Sequence, residues 1–270
     1  HSHRTWLLPD SSVQDNAPAP CRQIPAVPVL ELAVHSFMTM CMWQYRAENL
    51  TVGYDGKALI GDIDFRVNAG ECILLCGANG TGKSTLLRTV AGTLRPVAGR
   101  CGFLGEGRVY MVPARIPKVR GFSVEEFIAT SCGRDTDWLG RMSDQVKGRV
   151  EAALSDAGIL HLAERDISTL SDGEFQKASI CTALVQKSDL ILLDEPTAFL
   201  DVDNKESVMR MIRDISLSGR ASVLFSSHDI GVASRYCTRV FGMTGGRFYE
   251  ATASCVDSVF RCCFNNWKGL

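Results

Sequence analysis

One run constrains this chain more than any other. Gly77-Ala78-Asn79-Gly80-Thr81-Gly82-Lys83-Ser84 satisfies the phosphate-loop pattern G-x-x-x-x-G-K-[ST]. Before it stands the apolar run Glu71-Cys72-Ile73-Leu74-Leu75-Cys76, which reads as a buried strand; after it, Lys83 to Val90 reads as a helix. Glycines let backbone N–H groups turn inward around phosphate oxygens, in conformations that a Cβ opposes. The helix that follows adds its positive N-terminal end. In this pattern Lys83 reaches the β- and γ-phosphates and the Ser84 hydroxyl ligates Mg²⁺, with Thr85 completing the nucleotide-contacting run. From average residue usage, a chance match in a chain this long is roughly one in a hundred.

A second motif fits the first. Leu190-Ile191-Leu192-Leu193-Asp194-Glu195-Pro196 is an apolar strand that delivers two carboxylates at its C-terminal end. A metal-dependent phosphoryl site needs such a pair: Asp194 for the Mg²⁺ shell and Glu195 to polarise the attacking water. Alone the run is weak evidence, because strands often end in acidic turns. Beside the glycine loop it becomes strong.

From Tyr45 onward strands and helices alternate, which predicts a mainly parallel α/β sheet. Ser123-Val124-Glu125-Glu126 is a capping box opening a helix through Ile128. Val150, Ala153, Leu154 and Ala157 recur at helical spacing, as do Val208, Met211, Ile212 and Ile215. Val109-Tyr110-Met111-Val112 and Ala221 to Phe225 read as further strands, and no internal repeat is apparent. With 270 residues the chain can form one large domain or two small ones. Lys+Arg 29 against Asp+Glu 30 leaves no global basic field for nucleic acid, so any polyanion must be bound locally. Eleven cysteines form no CxxC pair, so we expect small buried hydrophobes rather than a structural metal or a disulfide framework. Val27 to Trp43, broken by Pro28, Glu31 and His35, is too interrupted to span a membrane or to serve as a secretory signal. Residues 1–42 are Pro-rich early on and do not begin with Met; we expect a disordered or non-native extension, either a tag or sequence upstream of the true start.

Between the two motifs lies Leu170-Ser171-Asp172-Gly173-Glu174-Phe175-Gln176-Lys177, and here the chain resembles the ATP-binding subunit of an ABC transporter, whose signature is usually LSGGQ. Other family pieces follow in order. Tyr54 stands where the family's aromatic stacks on adenine, Pro196-Thr197-Ala198-Phe199-Leu200-Asp201 resembles its D-loop, and Ser226-Ser227-His228-Asp229 its switch histidine. The resemblance runs from about Tyr45 to Glu250. It implies a P-loop NTPase (RecA-like) α/β core with a mainly parallel sheet, an antiparallel β part and an inserted α-helical subdomain. It also implies ATP and Mg²⁺ as cofactors, and Glu195, His228 and Lys83 as catalytic residues. Ser171 and Gly173 would open a helix whose positive end closes over the γ-phosphate held by a second copy, in a head-to-tail homodimer, with Asp201 reaching across. The expected partners are integral membrane permease subunits, with a substrate-binding protein engaged only indirectly and no nucleic acid. The expected location is the cytoplasmic face of the membrane, peripherally bound.

Each supporting residue has a plainer reading. Tyr54 fits a half-buried strand aromatic, His228 a structural histidine, and Asp201 a helix cap. Two departures from the pattern matter. Asp172 and Glu174 replace the commoner Gly and Gln, and Ala114 stands after Pro113 where the family's Q-loop glutamine is usual. That glutamine usually reaches Mg²⁺ and senses the membrane partner, so the coupling route is altered while the base Glu195 remains. The segment from Lys83 to Ala114 is short, which predicts a trimmed peripheral β-hairpin region. We expect an ABC ATPase domain over 43–254, with its helical subdomain about 121–169, and a tail over 255–270. Phe122, Phe127 and Trp138 are either core or the lining of a groove for a permease helix. The combination of LSDGE-x-Q-K with DEPTAFLD resembles importers of iron complexes, siderophore and haem among them, and of cobalamin. The competing readings are a soluble ABC ATPase acting in assembly, translation or DNA maintenance, and a catalytically weak regulatory subunit.

Overall fold

The computed structural model describes residues 44–133 and 142–252. The extension 1–42, the tail 255–270, Trp138, Cys262 and Cys263 therefore lie outside the described residues.

Two sheets organise the described chain. Strands β1 (Gln44–Tyr54), β2 (Lys57–Asn68) and β4 (Ala98–Phe103) form an antiparallel sheet in the order β2-β1-β4. The larger sheet runs β5-β6-β7-β3-β8-β9, built from β3 (Cys72–Gly77), β5 (Val109–Val112), β6 (Leu190–Leu193), β7 (Ser222–Ser226), β8 (Arg239–Thr244) and β9 (Arg247–Thr252). Its neighbours pair in parallel from β5 to β8; only β9 is antiparallel, returning through a turn at Gly245-Gly246. The segment between Lys83 and Ala114 carries the single edge strand β4 ahead of β5, and β4 pairs with β1.

The apolar runs make sense because both faces of the larger sheet are covered. In β3, Ile73 and Leu75 point into one core, shared with β1, β2 and helix α1 (Lys83–Val90). Cys72, Leu74 and Cys76 point into another, shared with α4 (Asp172–Val185), α5 (Val202–Leu217) and Ile230 and Ala233 of the short α6 (Ile230–Ala233). β6 splits the same way, Leu190 and Leu192 against Ile191 and Leu193, as the two-residue period of a strand requires. The buried Tyr45 hydroxyl donates to the Val90 carbonyl at 2.8 Å, fixing the end of α1 to the antiparallel sheet. Burial pushes the Tyr45 phenol far above its ordinary pKa.

A third core belongs to α2 (Val124–Thr130) and α3 (Asp144–Asp156), packed on α4 around Ile128, Val150, Leu154 and Cys181. The capping box at Ser123 is formed: its hydroxyl accepts from the Glu126 amide at 3.1 Å, and the Glu126 carboxylate accepts from the Ser123 amide at 2.8 Å. The helix runs on past Ile128 to Thr130. Phe127 joins this core, its ring centroid 5.8 Å from that of Phe175, whereas Phe122 is exposed. The aromatic set expected to act together is thus divided. Cys72, Cys76, Cys132, Cys181 and Cys237 are buried, and Cys101 is half-buried. Among the described residues, no helix is long and apolar enough to cross a membrane.

Candidate functional site

Sheet order decides what meets. Because β7 lies between β3 and β6, the C-terminal ends of three adjacent parallel strands deliver the glycine loop, Asp194-Glu195 and Ser226-Ser227-His228 to one edge. This is the edge at which open α/β sheets bind ligands.

At the exit of β3, Gly77 is forced by contact. A Cβ there would lie 2.4 Å from the Met243 carbonyl and 2.8 Å from the Thr81 hydroxyl. Gly82 caps α1 at φ 99°, a left-handed conformation that glycine adopts without steric cost. The first bond of the helical ladder runs from the Leu86 amide to the Gly82 carbonyl at 2.8 Å, so the amides of Lys83, Ser84 and Thr85 precede that ladder. Lys83 is only 6% exposed and folds back into the loop, donating to the Gly77 carbonyl at 2.8 Å and the Ala78 carbonyl at 3.2 Å. Desolvation lowers its pKa, while the nearby Glu195 and Asp194 carboxylates oppose that shift. Asn79 and Gly80 form the turn tip, and Thr81 ties it by a 2.9 Å bond to the Ala78 carbonyl. Thr85 donates to the Tyr54 hydroxyl at 3.2 Å, which brings the end of β1 onto the start of α1 with the Tyr54 ring still exposed.

The acidic corner is knitted by a residue whose role the sequence did not disclose. Ser226, fully buried at the end of β7, donates to the Asp194 carboxylate at 2.8 Å and accepts from the Glu195 amide at 2.9 Å. Asp194 is itself buried. Glu195 sits at φ 52°, a left-handed conformation that costs a non-glycine residue about 1–3 kcal/mol. Its carboxylate meets His228 Nε2 in an ion-pair contact. The loop beyond is tied to α5 by Lys205, whose ammonium lies 3.0 Å from the Asp229 carboxylate.

Ser171, Gly173 and Asp201 form a separate group. Ser171 caps α4 with a complete capping box: its hydroxyl accepts from the Glu174 amide at 3.3 Å, and Glu174 accepts from the Ser171 amide at 2.8 Å. Those hydrogen bonds lower the Glu174 pKa. Asp201 does cap α5, accepting from the Asn204 amide and side chain at 2.8 Å each, and these bonds lower its pKa in turn. The Asn204 side chain presses on Gly173, where a Cβ would lie 2.4 Å from Asn204 Oδ1. The signature end of α4 is therefore in contact with α5 just past the D-loop, within one chain. A cavity of about 550 Å³ opens beside them, lined by Ala114, Arg115, Lys118, Phe175 and Phe199 among others. Neither Asn204 nor Lys118 had a motif to mark it, because both act through pairing distant in sequence.

The glycine loop, Tyr54, Asp194, Glu195 and His228 thus converge in one place, and Ser171, Gly173 and Asp201 in another.

The family profile described as ABC transporter matches residues 60–198. The chain is 34% identical over 227 residues to the phosphonates import ATP-binding protein PhnC of Stutzerimonas stutzeri, covering 76% of this chain and 82% of that protein. It is 36% identical over 219 residues to the hemin import ATP-binding protein HmuV of Nocardia farcinica, covering 75% of each. Among solved structures, an inward-facing metal-chelate type ABC transporter superposes with a TM-score of 0.75 at 24% identity, over 83% of this chain and 89% of that one.

Proposed function

Because the chain belongs to the ABC transporter family as one of its ATP-hydrolysing, ATP-binding subunits, we propose that it powers an importer by closing and opening as a head-to-tail pair beneath a separate membrane permease, on the cytoplasmic face. The observation that carries this reading is the sheet order that sets Lys83 and the Glu195–His228 contact on adjoining strand ends.

The residues fit a nucleoside triphosphate. Gly77 is held by close contacts that a Cβ would break, Gly80 and Gly82 take the left-handed φ of 79° and 99° that glycine adopts freely, and the amides of Lys83, Ser84 and Thr85 stand before the helical ladder. In this reading Gly77, Ala78, Asn79, Gly80, Thr81, Gly82, Lys83, Ser84 and Thr85 hold the phosphates, and Tyr54 stacks on the base. Ser84 and Asp194 would hold Mg²⁺. Among the described residues no group of three or more His, Cys, Asp or Glu could hold a metal ion, so these two donors would share it with phosphate oxygens, as such sites do. When bound, that cation neutralises charge developing on the phosphates. Glu195, oriented by the hydrogen bond that its backbone N–H donates to Ser226 Oγ, would take a proton from the attacking water, while His228 holds the Glu195 carboxylate and would meet the γ-phosphate. Ser171 bonds Glu174 and Gly173 packs on Asn204, contacts of their own helix end that support their service to a second copy, with Asp201 at the crossing.

The domain reading follows the same lines: an ATPase domain over 43–254, with the helices of about 121–169 facing the permease. For cargo we favour iron complexes such as siderophores or haem, supported by the LSDGE-x-Q-K and DEPTAFLD runs and by the likeness to the hemin protein. The phosphonates protein, at 34% identity, is the rival to separate. A second reading, a weakly hydrolysing regulatory subunit, is motivated by Ala114 in the cavity beside the signature. Glu195→Gln in the assembled complex is expected to cut turnover at least about tenfold; unchanged turnover would refute the base assignment. The permease that co-purifies, and the cargo that stimulates turnover, decide between iron complex and phosphonate, and recovery with no permease favours a soluble ATPase.

A further inference from the structure

Lys118 lies in the segment that leaves β5, just beyond Ala114, and its ammonium is held from three sides. It donates to the Leu170 carbonyl at 2.8 Å and to the Asp172 carboxylate at 2.8 Å, and it stands 5.3 Å from the centroid of the Phe175 ring. Phe175 is buried, and the Lys118 side chain is mostly covered. An isolated surface pair contributes little. A lysine fixed by a carbonyl, a carboxylate and a ring face, at the mouth of one helix, has a defined position instead.

That position matters because of Asp172. The N-terminal end of α4 carries a partial positive charge suited to a polyanion. Asp172 sits in its first turn, beside Ser171 and Gly173, with a side chain that is 68% exposed. A bare carboxylate there helps the helix but repels any phosphate that approaches the same end, since like charges brought together oppose binding.

We propose that Lys118 is a positioning residue for the signature end: held in place by the Leu170 carbonyl, it neutralises Asp172 and so lets α4 receive the triphosphate held by a second copy despite that carboxylate at the contact. Asp172 and Lys118 are one unit, and the acidic residue is tolerated because the basic one is present. The proposal rests on the two-copy reading above.

The test uses the full chain and follows steady-state ATP turnover against ATP concentration, with nucleotide binding to the single chain measured in parallel. Lys118→Met is expected to raise the KM for ATP about fivefold, with single-chain binding and thermal midpoint unchanged, an effect on the scale of a partly exposed pair. Adding Asp172→Gly to Lys118→Met is expected to return KM to within about twofold of the parent, because the repelling carboxylate is gone. A neutral Lys118→Met, or a defect that persists in the double variant, would overturn the proposal; persistence would mean a contact serving only packing. Ser171→Ala separates the layers. If it lowers turnover while Lys118→Met does not, the Lys118 role alone is lost. If Ser171→Ala is neutral, the two-copy reading itself fails.

Discussion

At the glycine loop, Lys83 is buried and spends its ammonium on two carbonyls of its own loop, and a methyl at Gly77 has no room. At the start of α4, Ser171 is satisfied by its own capping box and Asp172 faces solvent against Lys118. The first end is a concave cradle with its charge desolvated and its backbone preset. The second is a helix end whose two first-turn carboxylates are already engaged, Asp172 by Lys118 and Glu174 by the Ser171 amide. A cradle can bind alone, whereas a capped helix end gains only when something is brought to it. In the two-copy reading proposed above, these ends are the two unlike halves of a clamp.

The largest test of that contrast is Lys83→Ala. It should lower turnover on the order of a hundredfold or more, the scale of removing a charge-stabilising donor from a phosphoryl site, and should abolish nucleotide binding by the single chain. Binding retained at parent affinity would mean that the cradle is not where the phosphates go. A smaller effect is expected at the other end from Gly173→Ala. The new methyl would lie 2.4 Å from the Oδ1 of an Asn204 side chain that Asp201 holds in place, so the cost is about 1–3 kcal/mol of stability from overpacking. Adding Asn204→Ala should restore stability in a thermal melt. If turnover returns as well, Gly173 serves internal packing rather than an outside phosphate.

The smallest effect lies in the cores that flank both ends. Burial pushes the Cys72 and Cys181 thiols up to about 12 from an ordinary value of 9.0. With folded values above the unfolded ones, these groups contribute stability that is fully present below about pH 9 and lost as pH rises toward about 12. Thermal midpoints should hold steady from neutral pH to about 9 and fall beyond it. Replacing Cys72 and Cys181 with Ala should flatten that fall; an unchanged alkaline limb would assign it to other groups.

Local signals were legible where physics is local. The helix opening at Lys83 ends at Val90 as its periodicity implied, the strand Leu190–Leu193 stands at its expected bounds, and the box at Ser123 forms. The strand expected at Glu71–Cys76 begins and ends one residue later, because the Glu71 amide donates to the Asn68 carbonyl at 3.4 Å and to Ser222 Oγ at 3.2 Å instead of to a neighbouring strand. The strand expected at Ala221–Phe225 is displaced by one residue in the same sense. Harder to read was the recruitment of β4 to β1, since register between distant segments leaves no short-range mark, whereas the β1–β2 and β8–β9 hairpins close over Asp55-Gly56 and Gly245-Gly246, local turn signals that the sequence does carry. The site divides likewise. The glycine loop and the paired carboxylates declare themselves by residue type. Ser226, Lys118 and Asn204 are common residues whose significance arises only when the fold brings distant segments together.

Ser226 has one hydroxyl and uses it in both directions, toward a carboxylate and from an amide on consecutive residues. Two neighbouring strands are thereby pinned at a single atom, just where the backbone turns left-handed. The acidic pair cannot be retuned one member at a time: a shift of β7 moves the shared partner of Asp194 and Glu195 together, and with it the angle at which Glu195 meets His228.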